Sequence, residues 1–221
     1  RSGNFGLAGC FSTQTYKHLN SGEGGILTSN DEEFMARAII YSGSYMLYER
    51  HGAAPRSKVF EEIRLETPNY SGRMDNLRAS ILRPQLKNLE KNINRWNERY
   101  QTVESELKEI NGIEVPVRFE EEKYVGSSIQ FRIPGISKSD AELFVKKNKE
   151  LGVELKWFGN DDPSGFTSNH KSWKYVSRQK LNVSDKILSG LFDLRLPLTF
   201  SIDDCKHISK IIIECSSQFI K

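Results

Sequence analysis

Apolar residues recur in steps of three and four at Ala79, Leu82, Leu86, Leu89, Ile93, Trp96, Tyr100, Val103, Leu107 and Ile110. This is the strongest pattern in the chain, and it specifies one long amphipathic helix or two in line. Pro84 has no amide donor and crowds the preceding turn, so a kink or a helix start is expected there. Asn111-Gly112 supplies the C-terminal stop. Further on, Ile129, Phe131 and Ile133 alternate with Ser128, Gln130 and Arg132 as a half-buried strand, and residues 137–151 read as helix. Val153, Leu155 and Trp157 alternate again, which favours Trp157 as core over Trp157 as pocket wall. A last strand near Leu194, Leu196 and Leu198 precedes a helix capped by Ser201, with Ile202, Cys205, Ile208, Ile212, Cys215 and Phe219 on one face. Such elements pack as a small α+β unit, a sheet with helices on one side.

The first third is patterned differently. Gly9-Cys10-Phe11-Ser12 and Gly25-Ile26-Leu27-Thr28 are short strand-like runs separated by the polar residues 13–23. Asn30 reads as a helix N-cap, with Asp31, Glu32 and Glu33 in the first turn, where the helix dipole favours negative charge. Phe34, Ala38 and Tyr41 then recur at helical spacing and are expected to face a sheet. Residues 43–72 lack a clean period and read as a long loop with at most short structured pieces, and loops of that length are usually functional or disordered. Tyr45, Tyr48, Arg50 and His51 within it are candidate substrate contacts; the alternative is an insertion that only packs. The chain divides into a first domain, 1–110, that includes the long helix, and a small α+β domain, 111–221.

Composition narrows the class of protein. Among 221 residues, 32 lysines and arginines stand against 29 aspartates and glutamates, a net charge of +3, which gives no electrostatic reason to expect nucleic acid as a partner. The longest apolar runs, 38–41 and 45–48, fall far short of the ~20 residues needed to cross a bilayer, so no membrane association is expected. Cys10, Cys205 and Cys215 lie far apart without a Cys-x-x-Cys pair, which supports neither a disulfide framework nor a zinc ribbon and fits a cytoplasmic setting. The four histidines have no ligand spacing, and no metal is expected. Arg1-Ser2-Gly3-Asn4 is no secretory signal and reads like an interior start.

The chemistry concentrates in Phe11-Ser12-Thr13-Gln14-Thr15-Tyr16-Lys17-His18, followed by Gly22-Glu23-Gly24-Gly25. A lysine between a strand end and a Gly-rich turn can be desolvated, which lowers its pKa from about 10.4 and frees the neutral amine for Schiff-base chemistry. Ser12 is placed to donate its hydroxyl to an anion such as a phosphate. The competing reading is an ordinary solvated lysine in a polar loop. The glycine cluster alone is a turn, without the Gly-Lys-Ser/Thr ending of a P-loop. His18 reads as a polar turn residue rather than a general base.

Phe-Ser, a short spacer, Lys17 and Gly22-Glu23-Gly24-Gly25 resemble the lysine segment of the DegT/StrS-type sugar aminotransferases. The resemblance continues in order through Asn69-Tyr70, Arg73-Met74-Asp75-Asn76-Leu77-Arg78-Ala79-Ser80 and Gln85-Leu86. It implies an α/β, PLP-dependent transferase fold of the aspartate aminotransferase type, here the C-terminal part of the large domain plus a small α+β C-terminal domain. It further implies pyridoxal 5′-phosphate (PLP) bound through Lys17, with Ser12, Gln14 and Asn69 as cofactor contacts, Ser12 on the phosphate and Asn69 reaching across a homodimer. The implied reaction moves an amino group from glutamate or glutamine to a nucleotide-linked keto-sugar; Gln14 and Ala79-Ser80-Ile81-Leu82 resemble the keto-cyclitol branch more. The family's upstream elements, a phosphate-binding helix N-terminus, a ring-stacking aromatic and an acidic partner for the pyridine nitrogen, have no counterpart here. The isolated chain is therefore expected to be incomplete and inactive. Ser71-Gly72 also interrupts the family's unbroken Asn-Tyr-Arg. A non-catalytic relative acting by association remains the alternative; a dehydratase with histidine in place of the lysine is disfavoured by Lys17.

Overall fold

The structure, a computed structural model, describes residues 2–44, 48–162 and 169–220. The chain forms two compact units, Arg1–Leu89 and Glu90–Lys221.

The first unit opens with an antiparallel hairpin of β1 (Gly9–Ser12) and β2 (Gly25–Thr28), paired from Gly9 opposite Thr28 to Ser12 opposite Gly25. Helix α1 (Glu32–Ser42) follows. Its N-cap is Asp31 rather than the expected Asn30, because the Asp31 carboxylate accepts the Phe34 N–H at 2.7 Å while Ser29 Oγ accepts the Asp31 N–H. Its buried face is Ala36, Ile39 and Ile40, not Phe34, Ala38 and Tyr41. Both stripes are apolar, and the choice is made by a partner the sequence pattern hides. Within the expected loop lie a 3₁₀ turn, Tyr48–Arg50, and a second helix, α2 (Ser57–Ile63). Tyr48, Phe60 and Ile63 pack with the α1 face into one cluster, the Tyr48 and Phe60 rings stacked with centroids 4.1 Å apart. Tyr48 thus belongs to the core, Arg50 and His51 are exposed, and Tyr45 lies outside the described residues. Helix α3 (Asn76–Lys87) is capped by Asp75, whose carboxylate accepts the Arg78 N–H at 2.8 Å. Pro84 sits inside α3, and the break falls four residues later, at Asn88.

The second unit contains α4 (Leu89–Lys108), β3 (Ser128–Arg132), α5 (Lys138–Glu150), β4 (Lys156–Trp157), α6 (Asn182–Leu188), β5 (Leu191–Arg195) and α7 (Ile202–Ser216). Its antiparallel sheet has the order β3-β5-β4. Alternation buries Ile129 and Phe131 on β3, and Phe131, Phe144 and Phe192 meet ring to ring at the centre of the core. Trp157 is buried there and donates its indole N–H to the Ser189 carbonyl at 2.8 Å. Ser201 caps α7 as expected, in a full capping box with Asp204. Tyr100, Val103 and Leu107 of α4 lie in this same core. The long helix therefore groups with the second unit, and the division falls at 89/90 instead of 110. Buried Arg99 reinforces that grouping by donating to the carbonyls of Phe200, Leu198 and Arg95. The last strand ends at Arg195, short of Leu198, and α6 is an element that no sequence pattern announces.

Candidate active site

The β1–β2 ladder runs on past the strands. The Thr13 N–H donates to the Gly24 carbonyl (2.9 Å), the Ser21 N–H to Thr13 (2.9 Å) and the Thr15 N–H to Gly22 (2.8 Å). Thr13 is buried, with Oγ1 3.1 Å from Ser21 Oγ. Gly24 has φ +138°, and a Cβ there would come within 2.7 Å of Met74 Cε and 2.9 Å of Thr13 Oγ1. A side chain is therefore excluded by both backbone and space. The outcome is a rooted hairpin whose tip, residues 14–20, carries the lysine.

Within the tip each turn is closed locally. The Lys17 N–H donates to the Gln14 carbonyl (2.9 Å), Gln14 Oε1 accepts the Tyr16 N–H (3.0 Å) and Ser12 Oγ accepts the Gln14 N–H (3.3 Å). Ser12, Gln14 and Lys17 thus stand on one hairpin end. Lys17 is exposed, not desolvated, because the tip projects beyond the strands of its unit. Two cavities, one of about 300 Å3 beside Leu27, Met35 and Pro55 and one of about 310 Å3 beside Val153, Asp193 and Phe200, are lined by none of the four candidate residues.

Asn69 stands on a different segment, which is bound to the end of α1. The Tyr70 N–H donates to the Tyr41 carbonyl (2.9 Å) and the Arg73 N–H to Ser42 (2.8 Å), while the Arg73 guanidinium donates to Gly43 (3.1 Å) and the Tyr41 and Tyr70 rings stack at 5.5 Å. These bonds occupy carbonyls that a helix C-terminus leaves without intrahelical donors. The Ser71-Gly72 interruption takes up a sharp turn: Ser71 has φ +53°, and Asn69 Oδ1 accepts its N–H at 2.7 Å. Asp75, between this segment and α3, has its carboxyl lowered from the usual range by the Arg78 N–H and the Arg78 guanidinium. No hydrogen bond joins Asn69 to Ser12, Gln14 or Lys17 among the described residues.

Residues without a role in the sequence reading are the ones that hold the tip: Thr13 and Ser21 at its root, and Gln85 on α3, whose amide bonds both backbone groups of Asn20. The sequence signals for Gln85 are its place in the Gln85-Leu86 part of the family resemblance and a polar residue four positions after Ile81 on the helix; neither gives its partner.

The donor set on the tip suits an aldehyde that carries a phosphate. Lys17 Nζ has no ion pair among the described residues, and Ser12 Oγ is engaged only as an acceptor, which leaves its hydrogen to donate. A primary amine and a neutral hydroxyl donor on one turn are what such a group needs. Among the described residues no group of three or more His, Cys, Asp or Glu side chains is placed to hold a metal ion, and no helix is long and apolar enough to cross a membrane.

The same fold occurs in solved structures of aminotransferases and of a dehydratase. TlmJ of Streptoalloteichus hindustanus, an aminotransferase, superimposes with a TM-score of 0.75 at 18% identity over 98% of this chain and 54% of its own. Helicobacter pylori PseC, an aminotransferase involved in pseudoaminic acid biosynthesis, gives 0.77 at 13% identity, covering 99% and 56%. A GDP-4-keto-6-deoxymannose-3-dehydratase with a trapped PLP-glutamate geminal diamine gives 0.70 at 18% identity, covering 96% and 56%. The chain spans about half the length of these relatives, and over that length it has the α/β fold of the PLP-dependent aminotransferases. No curated protein matches the sequence. Residues 1–213 match the model of the DegT/DnrJ/EryC1/StrS aminotransferase family, and the chain belongs to that family.

Proposed function

We propose that this chain carries the lysine-bearing part of a PLP-dependent aminotransferase that acts on a keto-sugar, nucleotide-linked, or on a keto-cyclitol, with glutamate or glutamine as amino donor. The observation that carries the reading is the rooted hairpin tip, which presents Ser12 and Lys17 together, with no ion pair to the amine among the described residues. Lys17 Nζ would bond the aldehyde carbon of PLP with loss of water, and the Ser12 hydroxyl and the free Gln14 amide hydrogens would donate to its polar groups. When bound, PLP supplies the electron sink through which an amino group passes from donor to ketone. Lys17 Nζ would serve as the base that holds the proton taken from the donor's α-carbon. Asn69 is assigned to the phosphate of the neighbouring subunit in a homodimer. The three free cysteines suit a reducing cytoplasm.

Borohydride trapping of PLP followed by peptide mapping tests the assignment. The adduct is expected on Lys17, and Lys17→Ala is expected to abolish transamination; an adduct on another lysine, or full activity in Lys17→Ala, overturns it. A second reading, association without catalysis, is favoured by the exposed Phe11, Ile26, Leu77 and Leu86 of the first unit. It predicts self-association of the chain with no PLP imine absorbance.

A further inference from the structure

Gln85 uses every hydrogen-bonding site its amide needs to take one orientation. Oε1 accepts the Asn20 N–H at 2.9 Å, and Nε2 donates to the Asn20 carbonyl at 2.7 Å and to the Ile81 carbonyl, one turn back on α3, at 3.0 Å. Turned over, the amide would set its oxygen against two carbonyl oxygens and its NH2 against an N–H, so only one orientation satisfies the network. The contact joins residues 65 apart in the chain. Two bonds, one to each peptide flanking the Asn20 Cα, fix the angle of this residue as well as its distance.

Asn20 is where the tip ends, since the next residue, Ser21, re-enters the ladder through Thr13. The Asn20 side chain in turn donates to the Lys17 carbonyl at 3.4 Å. From α3 to the lysine there is thus a short connected path: Gln85, the backbone N–H and C=O of Asn20, the Asn20 side chain, and the Lys17 backbone. The root at Thr13 and Ser21 holds the base of the hairpin, whereas Gln85 holds its far side against a helix.

We propose that Gln85 is a positioning residue that sets the direction in which the tip presents the Lys17 amine; this rests on the reading of Lys17 as the Schiff-base lysine. A covalent partner of fixed geometry tolerates little displacement of the attacking nitrogen, and misplacement by about 1 Å costs on the order of a hundredfold in rate. A purely structural glutamine would affect melting without altering the chemistry at the lysine.

The test uses the PLP-loaded protein at its full natural length, with Gln85→Ala, Gln85→Met and Gln85→Glu. Amide hydrogen exchange at Asn20 reads the contact, the pH titration of the lysine–PLP imine absorbance reads the environment of Lys17, and kcat and KM are measured for the amino donor. In Gln85→Met, which keeps the length of the side chain, faster exchange at Asn20, a displaced imine titration and a kcat lower by roughly ten- to a hundredfold are expected, with KM for the donor changed far less. Gln85→Glu sets an ionised carboxylate against two carbonyls, and it regains a donor only when protonated. Its kcat relative to Gln85→Met is therefore expected to rise as pH falls through the titration of that carboxyl. Unchanged imine titration and kcat in a folded Gln85→Met overturn the proposal, as does failure of both Gln85→Ala and Gln85→Met to fold, which would make the residue structural. An adduct mapped to another lysine in the parent protein overturns the reading of Lys17 and this proposal with it; an adduct on Lys17 with an unaltered Gln85→Met overturns this proposal alone.

Discussion

Replacing Ser12 with alanine removes one hydroxyl from the end of β1 and separates cofactor binding from folding. In the structure that oxygen is exposed and accepts a single long bond, 3.3 Å, from the Gln14 N–H, so the exposed amide can turn to water and the hairpin loses little. The hairpin root, Thr13 with Ser21 and Gly24, is untouched. What the substitution takes away is a hydrogen bond from a neutral donor to a phosphate dianion, worth about 1.5–3 kcal/mol. That corresponds to a rise on the order of ten- to a hundredfold in the dissociation constant for PLP. Equilibrium titration of the apoprotein with PLP, followed by imine absorbance, measures it, and Ser12→Thr, which keeps the hydroxyl, should stay near the parent value. Melting of the apoprotein should shift little. An unchanged dissociation constant in Ser12→Ala refutes the phosphate contact; a large loss of apoprotein stability refutes the assumption that the hydroxyl is structurally idle.

Mixing full-length Lys17→Ala with full-length Asn69→Ala should restore activity if Asn69 acts across a two-fold interface, because one site of each heterodimer then carries neither lesion; no rescue despite confirmed subunit exchange places Asn69 in its own site. Phe60→Ala should destabilise the first unit by about 3–5 kcal/mol in urea unfolding, since a fully buried ring stacked on Tyr48 leaves a cavity; a change below about 1 kcal/mol would mean that the α1–α2 cluster is not a packed core. The Ser201 N–H and hydroxyl hold the Asp204 carboxyl below its ordinary range. Its contribution to stability is therefore present above the unfolded value near 3.9 and is lost as pH falls through the lower folded value. The melting difference between parent and Asp204→Asn should accordingly be constant near neutrality and shrink below about pH 4; a difference that grows on acidification would contradict the sign.

Elements whose signal is local were legible from the sequence. Ser201 with Asp204 three residues on is a complete N-terminal device, and Ile129, Phe131 and Ile133 alternate without competition. Lys17 and Ser12 came from family resemblance, and the structure gives their local setting, a rooted hairpin. What the sequence could not settle was decided by partners far along the chain. The run Ala36-Arg37-Ala38-Ile39-Ile40-Tyr41 offers two apolar stripes, and only α2, too short to show a period, selects one. Tyr100 and Leu107 belong to an unbroken helical pattern whose allegiance is set by strands that follow it. Gln85 belongs to the family resemblance, but its contact is invisible because its partner is backbone, which every sequence contains everywhere.

The turn at Ser71 places two separate demands on residue 69. A side-chain acceptor is needed to hold the Ser71 N–H in its left-handed conformation, and aspartate meets that demand as well as asparagine does. With Oδ1 committed in this way, the Nδ2 hydrogens are the part of Asn69 that would meet the anion in the proposed contact. Aspartate would keep the shape of the loop and present a charge that repels phosphate. Under the proposed phosphate contact, position 69 separates fold from recognition by a single atom, oxygen for nitrogen: on its own Asn69→Asp should lose activity as Asn69→Ala does, and each should regain it only on mixing with Lys17→Ala, while the backbone amide of Ser71 stays protected from exchange only in the aspartate variant.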